Sequence, residues 1–89
     1  MQTKESQEVT LRFFKAISIL QQLRLIKSLN QFTKDYNINR WNLYKLKADP
    51  SRDMLQLAWL SRLVKDYNIS AEWLLTGRGS IFKKIPKTI

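Results

Sequence analysis

The chain has 89 residues, with 16 Lys and Arg against 7 Asp and Glu, giving a formal net charge of +9. It contains no Cys and no His, which removes disulfides, thiolate chemistry, zinc fingers and imidazole acid–base catalysis together. An apolar content of 44% argues against global disorder, the length allows one domain, and no apolar run nears the roughly 20 residues that span a bilayer.

Charge of this size points first to a polyanion, nucleic acid ahead of an anionic membrane surface. The lack of Cys suits a reducing interior, so a cytoplasmic location is expected. The opening MQTKESQE is polar and has no signal-peptide apolar region.

Residues 1–9 read as a flexible arm, nearly neutral because Lys4 is set against Glu5 and Glu8. A first helix is predicted from Thr10, as a possible cap, to Gln22. Phe13, Ile17 and Leu20 fall at i, i+4 and i+7, and Leu11 and Phe14 widen the stripe. Arg12, Lys15, Gln21 and Gln22 lie outside it. A short connector follows, with Leu25 and Ile26 tucked inward.

Residues 28–47 carry the pattern around which the rest is organised: a helix, a tight turn and a second helix. Ser28 with Gln31 has the form of a capping box. Phe32 and Tyr36 share a face. Asn37 occupies a turn position that needs positive φ, which Asn tolerates best after Gly. Ile38 is a buried plug, and Asn39 caps the second helix. Leu43 and Leu46 point back to the core. The outward set is Asn39, Arg40, Trp41, Asn42, Tyr44, Lys45 and Lys47: three cations, no acid, amides and aromatics. Such groups donate to phosphates, reach base edges and pack on sugars or thymine methyls. Arg40 suits a base edge or a phosphate, Lys45 a phosphate, and Lys47 a phosphate or plain solvation. Trp41 either packs on a sugar or thymine methyl or covers a neighbouring helix edge.

Pro50 ends that helix by about Asp49. Asp53 then caps a helix reaching about Asp66, apolar on most sides through Met54, Leu55, Leu57, Ala58, Leu60, Leu63 and Val64. Such a helix is expected in the middle of a bundle, with Trp59 partly exposed beside Arg62 and Asp66. Lys34-Asp35-Tyr36-Asn37-Ile38 recurs 31 residues later as Lys65-Asp66-Tyr67-Asn68-Ile69. Each copy is followed by a cap, Asn39 or Ser70, and then by Trp41 or Trp73. The flank after Ser70 is Glu72, Trp73, Leu74 and Leu75, which can pack but cannot read an anion. A fifth helix runs from Ser70 to Thr76 and stops at Gly77. Trp73 suits core or a dimer surface, and Ile81 and Phe82 suit core or a partner. Residues 83–89 form a basic tail or the start of a linker, with Pro86 arguing against helix.

Catalysis is not expected. The best nucleophile–base pair by spacing, Ser61 with Lys65, sits on a plain helix without an oxyanion device. Gly77-Arg78-Gly79 lacks the strand and fingerprint of a phosphate loop and reads as a helix stop. No cofactor or small-molecule substrate is indicated.

Over residues 10–82 the chain resembles the Cro- and phage-repressor-like (lambda-repressor-like) helix-turn-helix family. The resemblance rests on Arg12-Phe13-Phe14-Lys15-Ala16-Ile17, on Ile69 to Phe82 (ISAEWLLTGRGSIF), and on the framework Phe32, Tyr36, Ile38, Leu43 and Leu46. It implies an all-α, compact five-helix DNA-binding domain at 10–82 with its helix-turn-helix at about 28–47. It also implies a prokaryotic, phage-like transcriptional regulator, a repressor acting by operator occupancy as a homodimer on DNA. Asn39, Arg40, Trp41, Tyr44 and Lys45 match family positions that meet DNA. Ser28 and Asn30, near the amino end of the helix before the turn, are expected to meet phosphate through backbone N–H groups. Three positions depart: Thr33 stands for a small residue, Asn37 for the turn Gly, and Leu29 for a Gln that braces the DNA backbone. Leu29 cannot make that contact, so the role is not carried over. The alternative is a protein-interaction module, such as a DNA-binding antitoxin, using Trp73, Ile81 and Phe82.

Overall fold

The computed structural model describes residues 3–52 and 54–83. Its five helices are α1 Lys4–Gln22, α2 Leu29–Asp35, α3 Arg40–Ala48, α4 Leu57–Asp66 and α5 Ala71–Thr76. The chain is all-α, and the described residues add one isolated antiparallel bridge, Ile69 to Phe82.

Helix α1 starts earlier than its apolar stripe suggests. Thr3 accepts a hydrogen bond from the Ser6 N–H at 3.1 Å, and Glu5 lies in the first turn, where the helix dipole favours an acid. Residues 4–9 are therefore helical rather than a loose arm. Thr10 is no cap: it is fully buried, and its hydroxyl donates to the Ser6 carbonyl at 3.1 Å. Phe13, Ala16, Ile17 and Leu20 form the inner face. Leu11 is 54% exposed and falls outside it.

The end of α1 turns on Arg24, whose φ is 62°. The Leu25 N–H reaches the Leu20 carbonyl at 2.9 Å and the Arg24 N–H reaches Gln21 at 3.0 Å, the two bonds of a Schellman motif. The turn aims Ile26 into the core and leaves Leu25 56% exposed, so only one of the two residues expected inside is there.

The same motif ends α2. Asn37 has φ 54°, the Ile38 N–H reaches Thr33 at 2.9 Å, and the Asn37 N–H reaches Lys34 at 3.4 Å. Ser28 caps α2 by accepting from the Gln31 N–H at 3.1 Å. The Gln31 side chain does not return the bond. It donates to Asp35 at 2.8 Å, so the capping box is half made. Asn39 caps α3 by accepting from the Asn42 N–H at 3.1 Å.

Helix α4 is shorter than expected. Residues 54–56 are non-helical, Gln56 precedes the helix without a side-chain cap bond, and Asp53 lies outside the described residues. The shorter helix is not apolar all round: Leu57 is 77% exposed and Ala58 is exposed. Trp59 is only 4% exposed, contrary to expectation, with its ring 6.2 Å from that of Phe13. Phe13 also meets Phe14 at 5.0 Å and Phe32 at 6.3 Å, so one ring joins α1, α2 and α4.

Ser70 caps α5 through the Trp73 N–H at 3.2 Å, and Gly77 closes it with φ 79°. Arg12 reaches over from α1, its Nε 2.7 Å from the Leu74 carbonyl and its Nη2 3.1 Å from that of Leu75. A guanidinium at a helix C-terminus satisfies orphan carbonyls and opposes the dipole. The Ser70 N–H donates to Ile81 at 2.7 Å and the Lys83 N–H to Asn68 at 2.9 Å, which straps 81–83 onto the α4–α5 turn. Lys84, Pro86 and Lys87 lie outside the described residues.

Candidate nucleic-acid interface

Leu43 and Leu46 are fully buried and anchor α3. With 3.6 residues per turn, two such anchors three apart fix which face is presented. The outward side carries Asn39, Arg40, Trp41, Tyr44 and Lys47, with Asn42 and Lys45 half-buried at its margins. All seven sequence-predicted α3 positions thus lie on one surface or its edge. Nine residues make a rod about 13.5 Å long at 1.5 Å per residue, and a major groove of about 12 Å admits one helix.

The surface is acid-free along α3. The first carboxylate beyond it is Asp49, which is occupied: Ser51 donates to it through side chain and backbone, and Arg52 Nε lies 3.7 Å away. Those Ser51 bonds, and then Arg52, hold the Asp49 carboxyl below its ordinary value. The partnered carboxylate leaves the positive charge of Arg40, Lys45 and Lys47 on the face.

Two contacts order the cations. Arg40 Nη1 donates to Asn30 Oδ1 at 3.2 Å, tying the first turn of α3 to the first turn of α2. The two residues line a shallow cleft of about 270 Å³ with Thr33, Lys34, Asn37 and Ile38. Asn30 therefore adjoins the α3 face through its side chain. Ser28 is half-buried and spends its hydroxyl on the α2 cap, so only its backbone neighbourhood can serve an anion. On the other contact, Lys45 Nζ lies 3.7 Å from the centroid of the Trp41 ring. Trp41 itself is 65% exposed, so it does not cover a neighbouring helix edge.

The turn before α3 is braced from behind. The Tyr36 hydroxyl donates to Asp66 Oδ2 at 2.8 Å, and Arg62 sits 5.3 Å from the Tyr36 ring centroid. Burial, and then hydrogen bonding to Tyr67 and Asp66, raise the Tyr36 phenol well above its ordinary value. Arg62 also lines a cleft of about 220 Å³ with Asn37, Asn39 and Gln56 beside the α3 cap. Sequence reasoning assigned Arg62 no such place. The repeated Tyr–Asn–Ile was the available signal, since it brings Tyr36 and Tyr67 to 6.4 Å.

Trp73 is 7% exposed and belongs to the core, while Ile81 and Phe82 are half-buried against it. Trp73 therefore takes the core reading, while Ile81 and Phe82 keep part of their surface exposed. An apolar groove of about 260 Å³ lies between α4 and α5, lined by Leu57, Leu60, Val64, Ala71, Leu74 and Leu75, with Ser61 and Lys65. Its outer members are Leu57 and Leu75, the latter 55% exposed. Among the described residues no helix is long and apolar enough to cross a membrane.

Comparison with protein-family models, with curated proteins and with solved structures finds no match to this chain.

Proposed function

We propose that the protein binds double-stranded DNA sequence-specifically, seating α3 in the major groove, and acts as a phage- or mobile-element-type transcriptional repressor by occupying its operator. One observation carries the reading: α3 is anchored by fully buried Leu43 and Leu46 while its other side offers three cations, two aromatics and amides with no acid. A face that merely packs against protein has no need to exclude acids. Arg40 reaches a base edge or clamps a phosphate from its post on Asn30, and Lys45 and Lys47 hold the backbone. The helix order and the turn at 36–39 agree with the lambda-repressor-like fold that the motifs resemble. Two copies bind half-sites about one helical turn apart. With Trp73 internal, the dimer contact falls to Leu57 and Leu75.

The test is selection from a random duplex library, followed by affinity measurements for the enriched and a scrambled duplex. A palindromic motif bound at least about 10³-fold tighter than the scrambled duplex supports the reading. Weak binding without a motif and with a steep salt slope means that the charge is generic. The α4–α5 groove favours a second reading, a protein-interaction module whose main partner is another protein. Capture of one defined partner that Leu57→Glu abolishes, with no duplex preference, would select it.

A further inference from the structure

We infer that Trp41, held by Lys45, is the residue through which α3 distinguishes thymine from the other bases, by packing the free side of its ring on a thymine C5-methyl. The inference rests on the duplex-binding reading and adds the base that is read.

Trp41 is the most exposed aromatic residue of the described chain at 65%, whereas Trp59 and Trp73 are at 4% and 7%. A lone exposed apolar side chain is ordinary on a protein surface, but this indole also carries a cation on one face and stands on the presented side of α3. It is the second residue of α3, in the turn from which a groove-bound helix meets base edges. Lys45 lies one turn on, at i+4, with Nζ 3.7 Å from the ring centroid. That ammonium takes one π-face and fixes the ring plane. One face and the ring edge remain for a partner.

The partner's chemistry follows from what a duplex displays. Paired bases keep their faces inside the stack, so a flat ring in the major groove cannot stack on them. The apolar group that projects there is the thymine methyl. Its carbon-bound hydrogens are weakly positive and meet the negative face of an indole favourably. Arg40 and Lys47, on the same acid-free helix, supply the charge complementarity that brings the backbone close. Lys45 acts here as a positioning residue for the ring.

The test uses the full chain and the enriched duplex, with each thymine replaced singly by deoxyuridine, which removes the methyl and nothing else. Wild type should lose about four-fold in affinity at one thymine per half-site, the equivalent of one buried methyl group. Trp41→Ala should bind more weakly and give no further loss with deoxyuridine there. Lys45→Gln should keep the preferred position but shrink the response, because the ring is no longer held. Specific duplex binding that is indifferent to deoxyuridine at every position overturns this inference and leaves the duplex reading intact. So does a Trp41→Ala variant that binds more weakly yet keeps the wild-type deoxyuridine response, since the ring then packs on sugar. Single-stranded oligonucleotide bound as tightly as duplex overturns both.

Discussion

Among the described residues Arg24, Asn37, Asn68, Gly77 and Gly79 have positive φ, and the four at helix ends differ in how visible they are. Asn37, Asn68 and Gly77 adopt φ of 54°, 62° and 79°, each at a helix end. Asn and Gly are the residues that accept this region at least cost, so these three turns can be read from sequence. Arg24 adopts φ 62° with no such signature. Its position is dictated by the burial of Ile26, a tertiary demand that local chemistry does not announce. The contrast gives a paired prediction. Asn37→Ala should cost about 1 kcal/mol of unfolding free energy, and Arg24→Gly should add up to about 1 kcal/mol, because alanine and arginine both meet the left-handed penalty that glycine avoids. Urea denaturation of the two variants reads both signs, and an unstable Arg24→Gly would show that Arg24 holds the turn by its side chain. Arg40 belongs at the same scale. If it reads a base, Arg40→Ala should cost about 1–3 kcal/mol in duplex affinity and relax preference at one position.

Among the elements, caps were more legible than lengths. Ser28, Asn39 and Ser70 each accept the expected N–H bond, because a hydroxyl or carboxamide three residues before its partner is a purely local device. Two helix starts were misplaced, α4 because it has no such device and α1 because Thr3, its actual cap, lies well before the apolar stripe. Helix α4 begins at Leu57 behind a Gln56 that makes no cap bond, and α1 begins before the Thr10 that resembles a cap but is buried. In α4 Trp59 faces inward and Leu57 outward, so the helix is not apolar all round. Arg12 illustrates a contact that periodicity hides: it lies off the apolar stripe, yet it spans 62 residues of sequence to the Leu74 carbonyl. Arg12→Ala should destabilise the domain by about 1–2 kcal/mol through loss of charge-assisted bonds at the α5 end. Arg12→Lys should recover only part of this, since a point charge cannot serve two carbonyls in a fork. Thermal melts followed by circular dichroism compare the three proteins, and equal midpoints would contradict the brace.

At the scale of the whole molecule, the bundle separates its jobs. Phe13 and the rings around it hold the core, the Tyr36–Asp66–Arg62 cluster backs the turn, and α3 faces outward with its cations. The tyrosine cluster carries a pH signature. Because the folded state keeps the Tyr36 proton above the ordinary phenol range, its contribution is complete below about pH 10, where the unfolded chain is also protonated. It is lost as pH rises beyond that, when the unfolded chain alone gives up the proton. Tyr36→Phe should therefore lose stability less steeply than wild type above about pH 10, with lysine deprotonation common to both proteins and cancelling in the difference. Parallel curves would mean that the phenol is not protected by the fold.

The central claim is that the outward face of α3 reads duplex sequence. The most direct measurement is the affinity of wild type, Arg40→Ala and Lys45→Ala for the enriched and the scrambled duplex across a salt series. The account predicts that Arg40→Ala narrows the gap between the two duplexes. Lys45→Ala, which removes a phosphate contact and also frees the Trp41 ring, should weaken both, lower the slope of log affinity against log salt by about one, and narrow the gap less than Arg40→Ala does. Wild type binding both duplexes alike, with neither variant changing the gap between them, would contradict it.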